Sequence, residues 1–331
     1  MKAAVIGVGF SGRAHVDALR RVPGVELIGM AASSDDPDPL LAAADVVHNC
    51  TPNDLHLRLG TRAVQAGAHL VAEKPLGRDL GEAQRLAEAV AASGRHACVT
   101  FTYRYFPAIA RMRELVANGA VGEVTTVRGT YLQDWLLEIP DPGWRRSAAR
   151  SGPSCTLADL GTHLFDLVTH VTGIAFEAVA ATLGSALADD DGLDDHGSVV
   201  ARLEGGARVA LVFSQVAAGS KNDLRLAVDG ELGSVAWAQE HPEELRVARR
   251  GGGTAVEMRS PDWAPSGPPG LPPGHVEGWA DAVRNLVFDF YAAVEGHEDA
   301  RPPAIEDGLR AAEVVDRALR AAAEGAWVDC R

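Results

Sequence analysis

The chain is short of positive charge: 31 Lys and Arg residues stand against 45 Asp and Glu, a formal net charge of -14. That balance repels phosphate backbones, and no Lys/Arg block offsets it, so nucleic acid is not expected as a partner. Cysteine is scarce as well. Cys50, Cys98, Cys155 and Cys330 are scattered without C-x-x-C spacing, which suggests neither a disulfide framework nor a structural zinc site and points to a reducing cytoplasm. No apolar run approaches membrane-spanning length, so no membrane partner is expected. The opening MKAAVIGVGF superficially resembles a secretory leader, but its apolar run is short, interrupted by glycine and followed by no convincing cleavage site. Internal repeats and a disordered tail are also missing.

What is present is the composition of a globular protein, 47% hydrophobic over 331 residues, a length that favours two domains. Short apolar runs at 2–8, 25–31, 46–50, 69–73 and 95–103 alternate with helical segments. That alternation predicts an α/β unit with a parallel, doubly wound sheet over residues 1–121, closed by a helix in PAIARMRELVANG that ends at Gly119. From residue 122 the texture changes. VTTVRGTYLQDW, SVVARLEGGARVALVFSQV, DLRLAVDGELGSVAWAQE and LRVARRGGGTAVEM alternate apolar and polar residues around glycine-rich turns, which predicts an open antiparallel sheet in a second, α+β unit over 122–331. A Pro/Gly loop at 261–274 precedes two helices, at 276–294 and 305–324, that can pack back on the first unit.

Gly7-Val8-Gly9-Phe10-Ser11-Gly12 fits G-x-G-x-x-G between the first strand and the first helix. The first glycine permits a tight turn, the second lets the backbone approach a pyrophosphate, and the third lets helix and strand pack closely. A nicotinamide dinucleotide is the economical cofactor. Open sheets bind ligands at the carboxyl ends of their strands, where the loop Thr51, Pro52, Asn53 and the run Glu73-Lys74-Pro75 stand. Phe10, Ser11 and Ser33 complete the expected cofactor set.

The stretch DLGTHLFD at 159–166 lies in a helix-like run, TLADLGTHLFDLVTHVTG, that Gly173 should close. Asp159 and His163 share one face, and so do Asp166 and His170. By itself that column is compatible with a metal ladder, local ion pairs or an acid/base site.

GVGFSG, CTPNDLH, AEKPLGRDL, FTYRYFP and DLGTHLFDL, in this order and spacing, resemble the Gfo/Idh/MocA family of sugar and cyclitol dehydrogenases. GELGSVAWAQEHPEELRV, GHVEGW and EDGLRAAEVVDRAL extend the resemblance almost to the end of the chain. It implies a Rossmann domain joined to a substrate domain on an open sheet, oxidation of a ring hydroxyl or reduction of the ketone, and no metal. It also implies that Lys74 matches the lysine of the family's EKP motif and that Asp159 and His163 match its Asp-x-x-x-His pair. The chemistry of the residues agrees: removing a hydride from a secondary alcohol needs a base for the hydroxyl proton, which histidine supplies, and a lysine can stabilise the developing alkoxide. Asp159 is left to orient the imidazole or grip a neighbouring substrate hydroxyl.

Further substrate contacts are expected from Tyr103, Arg104, Gln133, Trp135 and His275, while Asp166 and His170 are read as structural. Tyr103 and Arg104 serve equally as a bridge between domains, Gln133 and Trp135 as a subunit contact, and His275 as a helix cap. The outer face of the open sheet suits a homodimer or homotetramer. Two other functions use the same residues: an NAD-dependent glycosidase working by transient oxidation, and a non-catalytic ligand sensor.

Between VELIGMA and DVVHNC only residues 32–44 remain, room for one short crossover where a Rossmann half ordinarily fits helix, strand and helix. An edge strand is therefore expected to be lost. Ala32 stands where an acidic residue usually grips the adenine ribose, with Ser33, Ser34, Asp35 and Asp36 beside it. No Lys or Arg lies between Arg21 and Arg58, which favours NAD over NADP. NADP stays possible if Arg13 or the serines receive its extra phosphate.

Overall fold

The computed structural model describes residues 1–138, 143–187, 191–263 and 270–330, so residues 264–269 of the expected Pro/Gly loop lie outside the described residues. Five short apolar runs form one parallel sheet: β1 (Lys2–Ile6), β2 (Glu26–Ala31), β3 (Val46–Asn49), β4 (His69–Ala72) and β5 (Ala97–Val99), in the order β2-β1-β3-β4-β5. The central strands are buried on both faces, as parallel strands sandwiched between helices must be. α1 (Phe10–Leu19), α2 (Asp38–Ala43), α3 (His56–Gln65) and α4 (Leu80–Ser93) make the crossovers. α4 shows how sequence sets an element's ends: the Asp79 carboxylate accepts the Glu82 backbone N–H at 2.8 Å, and Gly94 ends the helix in the left-handed conformation.

The shortened segment at 32–44 does hold one helix, the six-residue α2, and β2 is the sheet edge. The run at 95–103 forms a shorter strand than its pattern suggests. Beyond β5 the Phe101 N–H turns back to the Val99 carbonyl at 2.8 Å, and the chain enters the 3-10 turn Thr102–Tyr105 before α5 (Pro107–Ala117).

The second sheet has nine strands: β6 (Val124–Leu132), β7 (Phe176–Gly184), β8 (His196–Leu203), β9 (Arg208–Ser214), β10 (Asp223–Gly230), β11 (Gly233–Ala238), β12 (Glu244–Arg249), β13 (Thr254–Met258) and β14 (Val328–Asp329). Their order is β13-β12-β11-β10-β6-β9-β8-β7-β14. The sheet is antiparallel except at one pair, β6 and β9, which run parallel, with the crossover through the helix Thr162–Thr172, β7 and β8 between them. FEAVAATLG is a strand that periodicity alone does not announce, since its alanines suit either helix or strand.

Short helices α6 (Trp135–Glu138) and α7 (Ala148–Ser151) precede a π-helical turn, Leu157–Gly161, that runs directly into α8 (Thr162–Thr172). Gly173, at φ 71°, closes α8 as expected. α8 lies against the inner face of the sheet, and Gly129 of β6 lets it approach: a Cβ at Gly129 would stand 3.1 Å from Leu164 and 2.9 Å from Leu211. The two closing helices, α9 (Trp279–Val294) and α10 (Ile305–Glu324), return to the first sheet. α9 packs on α1, and α10 packs on α4 and β5. α9 starts later than its apolar pattern suggests, with Gly278 at its N-cap. No helix among the described residues is long and apolar enough to cross a membrane.

Because Gly129 is the floor under Leu164, Gly129→Val should overpack the seat of α8 and lower stability by about 1–3 kcal/mol. A denaturant midpoint equal to that of the parent chain would show that α8 does not depend on this close approach.

Candidate active site

The glycine loop is built as its spacing requires. Gly7 sits at φ 117°, and a Cβ there would lie 2.2 Å from the Cys50 carbonyl oxygen. A Cβ at Gly12 would lie 1.9 Å from the Gly7 carbonyl oxygen, so helix and turn touch there. Gly9 has nothing within 4 Å of its missing Cβ, which leaves the backbone open to an approaching group. No side chain caps the start of α1, so its first amides are free to meet an anion.

One cleft runs from Gly7, Gly9, Phe10, Ser11 and Ser33 past Thr51, Pro52 and Asn53 to Glu73, Lys74 and Asp159. An open backbone, free helix amides and a polar far end make a donor set that fits a dinucleotide. The cleft's loops are tied to the second unit: the Asn53 amide donates to the Ser151 carbonyl at 3.0 Å. His56, not singled out in the sequence, spans the Thr51 and Pro75 carbonyls at 2.8 Å each.

At the far end the Lys74 ammonium contacts a carboxylate oxygen of Asp159 and lies 3.3 Å from its carbonyl. The other carboxylate oxygen accepts the Gln215 amide at 2.6 Å, and the Gln215 carbonyl in turn accepts the Thr156 hydroxyl at 2.8 Å. Burial works to raise the Asp159 carboxyl, but Lys74 and Arg145 outweigh it and bring it down to about 2. Asp159 is therefore a fixed anion gripping Lys74, and no hydrogen bond joins it to His163 among the described residues. Of the two roles expected of Asp159, to orient the imidazole or to grip a substrate hydroxyl, the first is replaced: it holds Lys74 instead.

His163 is buried, with the rings of Tyr103 (5.0 Å between centroids), Tyr131 (6.1 Å) and Phe101 (6.3 Å) around it. Among the described residues neither ring nitrogen has a hydrogen-bond partner. Burial, and then the nearby Lys74, push its pKa down to about 3, so the imidazole is neutral.

Behind it runs a polar network. The Tyr103 and Tyr131 hydroxyls meet at 2.6 Å, the Asn222 amide donates to Tyr103 at 3.1 Å, and Gln133 donates to Asn222 at 2.7 Å. The Trp135 indole donates to Gln133 at 2.9 Å, and the Arg145 guanidinium lies over the Trp135 and Trp144 rings, at 5.7 and 4.8 Å from their centroids. Trp144 and Arg145 line the cleft.

Two expected substrate contacts stand elsewhere. Arg104 is committed to Asp166 of α8 and, at 3.1 Å, to Asp307 of α10, so it bridges elements on the side away from the cleft. His275 is exposed in the loop before α9, with its ring 3.2 Å from the Pro272 carbonyl. Gln215 and Asn222 were missed. Gln215 had a signal, an amide in phase with the buried Val209, Leu211 and Phe213 of β9; Asn222 had none, because its place depends on how β10 pairs with β6.

The family description for an oxidoreductase with an NAD-binding Rossmann fold matches residues 1–101, and that for the GFO/IDH/MocA C-terminal domain matches residues 109–236. Levoglucosan dehydrogenase of Pseudarthrobacter phenanthrenivorans is 31% identical over 332 residues, covering 89% of this chain and 81% of that protein. The chain belongs to the Gfo/Idh/MocA family of oxidoreductases. Glucose-6-phosphate 3-dehydrogenase of Bacillus subtilis, another relative, is 23% identical over 95% of this chain and 94% of its own length. Among solved structures, levoglucosan dehydrogenase in complex with NADH superposes with a TM-score of 0.89 at 27% identity, covering 100% of this chain and 99% of that one. An inositol dehydrogenase homolog from Azotobacter vinelandii, in complex with NAD+, gives 0.90 at 26% identity over 99% and 97%. The family's NAD-binding half thus coincides with the glycine loop and the cleft described above.

Gly9→Val fills the one open side of the loop and should abolish NAD binding with little loss of stability, as read by calorimetric titration and a melting curve. Retained NAD affinity would contradict the loop's assignment. In the parent chain NAD should bind more tightly than NADP: the Asp35 and Asp36 carboxylates accept the Ala32 and Asp38 N–H groups at 2.8 and 3.1 Å, keeping two negative charges beside Ser33. Side-by-side titrations check this, and tighter NADP binding would mark the shortened edge as a phosphate site.

Proposed function

We propose that the chain transfers a hydride between a ring hydroxyl or ketone of a sugar, anhydrosugar or cyclitol and NAD. The observation that carries this reading is the Lys74 ammonium held by Asp159 at the far end of a dinucleotide cleft, with a buried, neutral His163 one helical turn from Asp159 and close enough to feel the Lys74 charge. The relatives support the substrate class, since they are named for levoglucosan and glucose 6-phosphate, and a structural relative for inositol.

NAD, when bound, supplies the hydride acceptor. The protein's part is charge and proton handling. His163 takes the hydroxyl proton, and Lys74 holds the oxygen as negative charge develops on it. Asp159, itself held by Gln215, fixes the direction of the Lys74 side chain. The Trp144 face offers the ring an apolar wall, while the Tyr103, Tyr131, Asn222 and Gln133 network braces the site from behind His163. Residues 1–121 act as the cofactor half and 122–331 as the substrate half. Exposed Val200 and Val212 on β8 and β9 suit a homo-oligomer formed through the open sheet, and four unpaired cysteines fit a reducing compartment.

A glycosidase of this cleft would release an aglycone without net NADH, and a sensor would need neither Lys74 nor His163. NADH formation from a panel of sugars and inositols decides among the three. Lys74→Ala and His163→Ala should each lower turnover by about 100-fold or more while NAD affinity stays nearly intact; near-normal turnover removes that residue from the mechanism. Since His163 is proton-free above about 3, kcat/KM should not lose activity through an acid limb at the ordinary histidine value of about 6.5. A limb there that disappears in His163→Ala would show that the imidazole titrates in its ordinary range and overturn the neutral-ring reading.

A further inference from the structure

The reacting end of the cleft is also one end of a buried polar chain that hydride transfer leaves unused. Glu73, beside Lys74 at the end of β4, has Oε1 3.2 Å from His15 Nε2 on α1. His15 Nδ1 lies 2.8 Å from His48 Nδ1 on β3, and His48 Nε2 lies 3.1 Å from the Tyr291 hydroxyl on α9. His15, His48 and Tyr291 are all buried.

A carboxylate only accepts hydrogen bonds, so with both imidazoles neutral a single proton order satisfies every contact. Tyr291 donates to His48 Nε2, His48 Nδ1–H donates to His15 Nδ1, and His15 Nε2–H donates to Glu73. Burial holds the His48 imidazole well below its ordinary range, in keeping with a neutral ring. At Glu73 burial works to raise the carboxyl, but the hydrogen bond from His15 and the nearby charges outweigh it and bring it down to about 2.

The second Glu73 oxygen accepts the Lys74 backbone N–H at 3.2 Å, so both oxygens are held. The Lys74 ammonium makes its direct contact with Asp159, and its charge also helps to keep Glu73 ionised. His15, Cys50 and Glu73 each bring one potential metal ligand within 4.8 Å of the others. Both His15 nitrogens are already engaged and burial raises the Cys50 thiol, so the cluster is arranged as a hydrogen-bond chain and not as a ligand set.

We propose that the Tyr291–His48–His15 chain pins Glu73 as a fixed anion at the nicotinamide end of the cleft, and that this anion biases the protein toward the oxidised cofactor. The proposal rests on the reading above that the nicotinamide lies at the Lys74 end. The oxidised ring carries a positive charge that the reduced ring lacks, so a nearby carboxylate in a partly dry cleft attracts one form and not the other. His15, His48 and Tyr291 are positioning residues: they act through Glu73.

The test is the ratio of the dissociation constants for NAD+ and NADH, measured on the full chain by calorimetry and NADH fluorescence. Glu73→Gln keeps the shape and the acceptor for His15 but removes the charge. It should weaken NAD+ relative to NADH by about tenfold. Glu73→Asp, which keeps the charge, should restore most of the ratio, and Tyr291→Phe, which removes only the terminal donor, should shift it in the same direction by less. A ratio unchanged within twofold in a folded Glu73→Gln protein overturns the proposal, as does an equal loss of both affinities, the mark of a merely structural role. If Glu73→Gln does not fold, the Tyr291→Phe ratio decides in the same way. Failure of every sugar as a substrate, with the ratio shift intact, would sink the proposed reaction and leave this inference standing.

Discussion

The contact between Lys74 and Asp159 is the constraint on which the site depends. Lys74 ends a strand of the parallel sheet, and Asp159 sits in the π-helical turn that rides on the second sheet. A largely buried ion pair is tolerable only when hydrogen bonds complete both partners. Here Gln215 fills the second oxygen of Asp159 from the end of β9, and Thr156 holds Gln215. Lys74 follows β4, Gln215 follows β9, and Asp159 belongs to the π-helical turn, with Thr156 at its N-cap. The pair therefore forms only when both sheets stand at one separation, and the cleft's width at its reacting end follows from that.

Much of the first half was legible because backbone geometry dictates it. Gly7 and Gly12 have no room for a Cβ, Gly9 faces open space, and the thirteen-residue gap after Ala31 leaves no length for another strand. The Asp159 and His163 spacing was equally visible. Less so was the division of labour: sequence offers Asp159 as a partner for the imidazole, whereas the fold turns it to Lys74. Arg104 and His275 looked like pocket residues from their place in the chain, but pairing with Asp166 and Asp307 turns Arg104 away, and the later start of α9 leaves His275 outside. The parallel pairing of β6 with β9 and the place of Asn222 are matters of strand order and register, which local patterns do not encode.

One short stretch of chain holds three titratable groups that burial and neighbours drive to different ends. Asp159 is brought down to about 2, His163 down to about 3, and Asp166 up to about 6, the last because burial outweighs Arg104. The repeated Asp-x-x-x-His spacing gives Asp159/His163 and Asp166/His170 the same look on paper. What separates them is which side of the helix meets the cleft. The first pair contributes a fixed anion and a free base, while Asp166 anchors Arg104 behind the helix and so holds α8 to α10 through Asp307.

The lost edge strand shows how the first sheet keeps its stability. β2 is the edge, and α2 lies so close that a Cβ on Gly29 would stand 2.7 Å from Leu40. The apolar surface that matters lies on the faces of the sheet, and much of its cover comes from the far end of the chain. On one face Leu286 and Phe290 of α9 join the core of α1 and β1; on the other Ile305 and Ala311 of α10 join that of α3 and α4. Polar ties follow the same route, from Tyr105 to Asp289 at 2.6 Å and from His48 to Tyr291. Because these helices sit beneath the cofactor cleft, a strand at the adenosine edge can be given up without loosening the strands that carry Gly7, Asn49 and Lys74. From the segment that follows β2 only Ser33 among the described residues lines the cleft, while the glycine loop and the end holding Lys74 and Asp159 supply most of its walls.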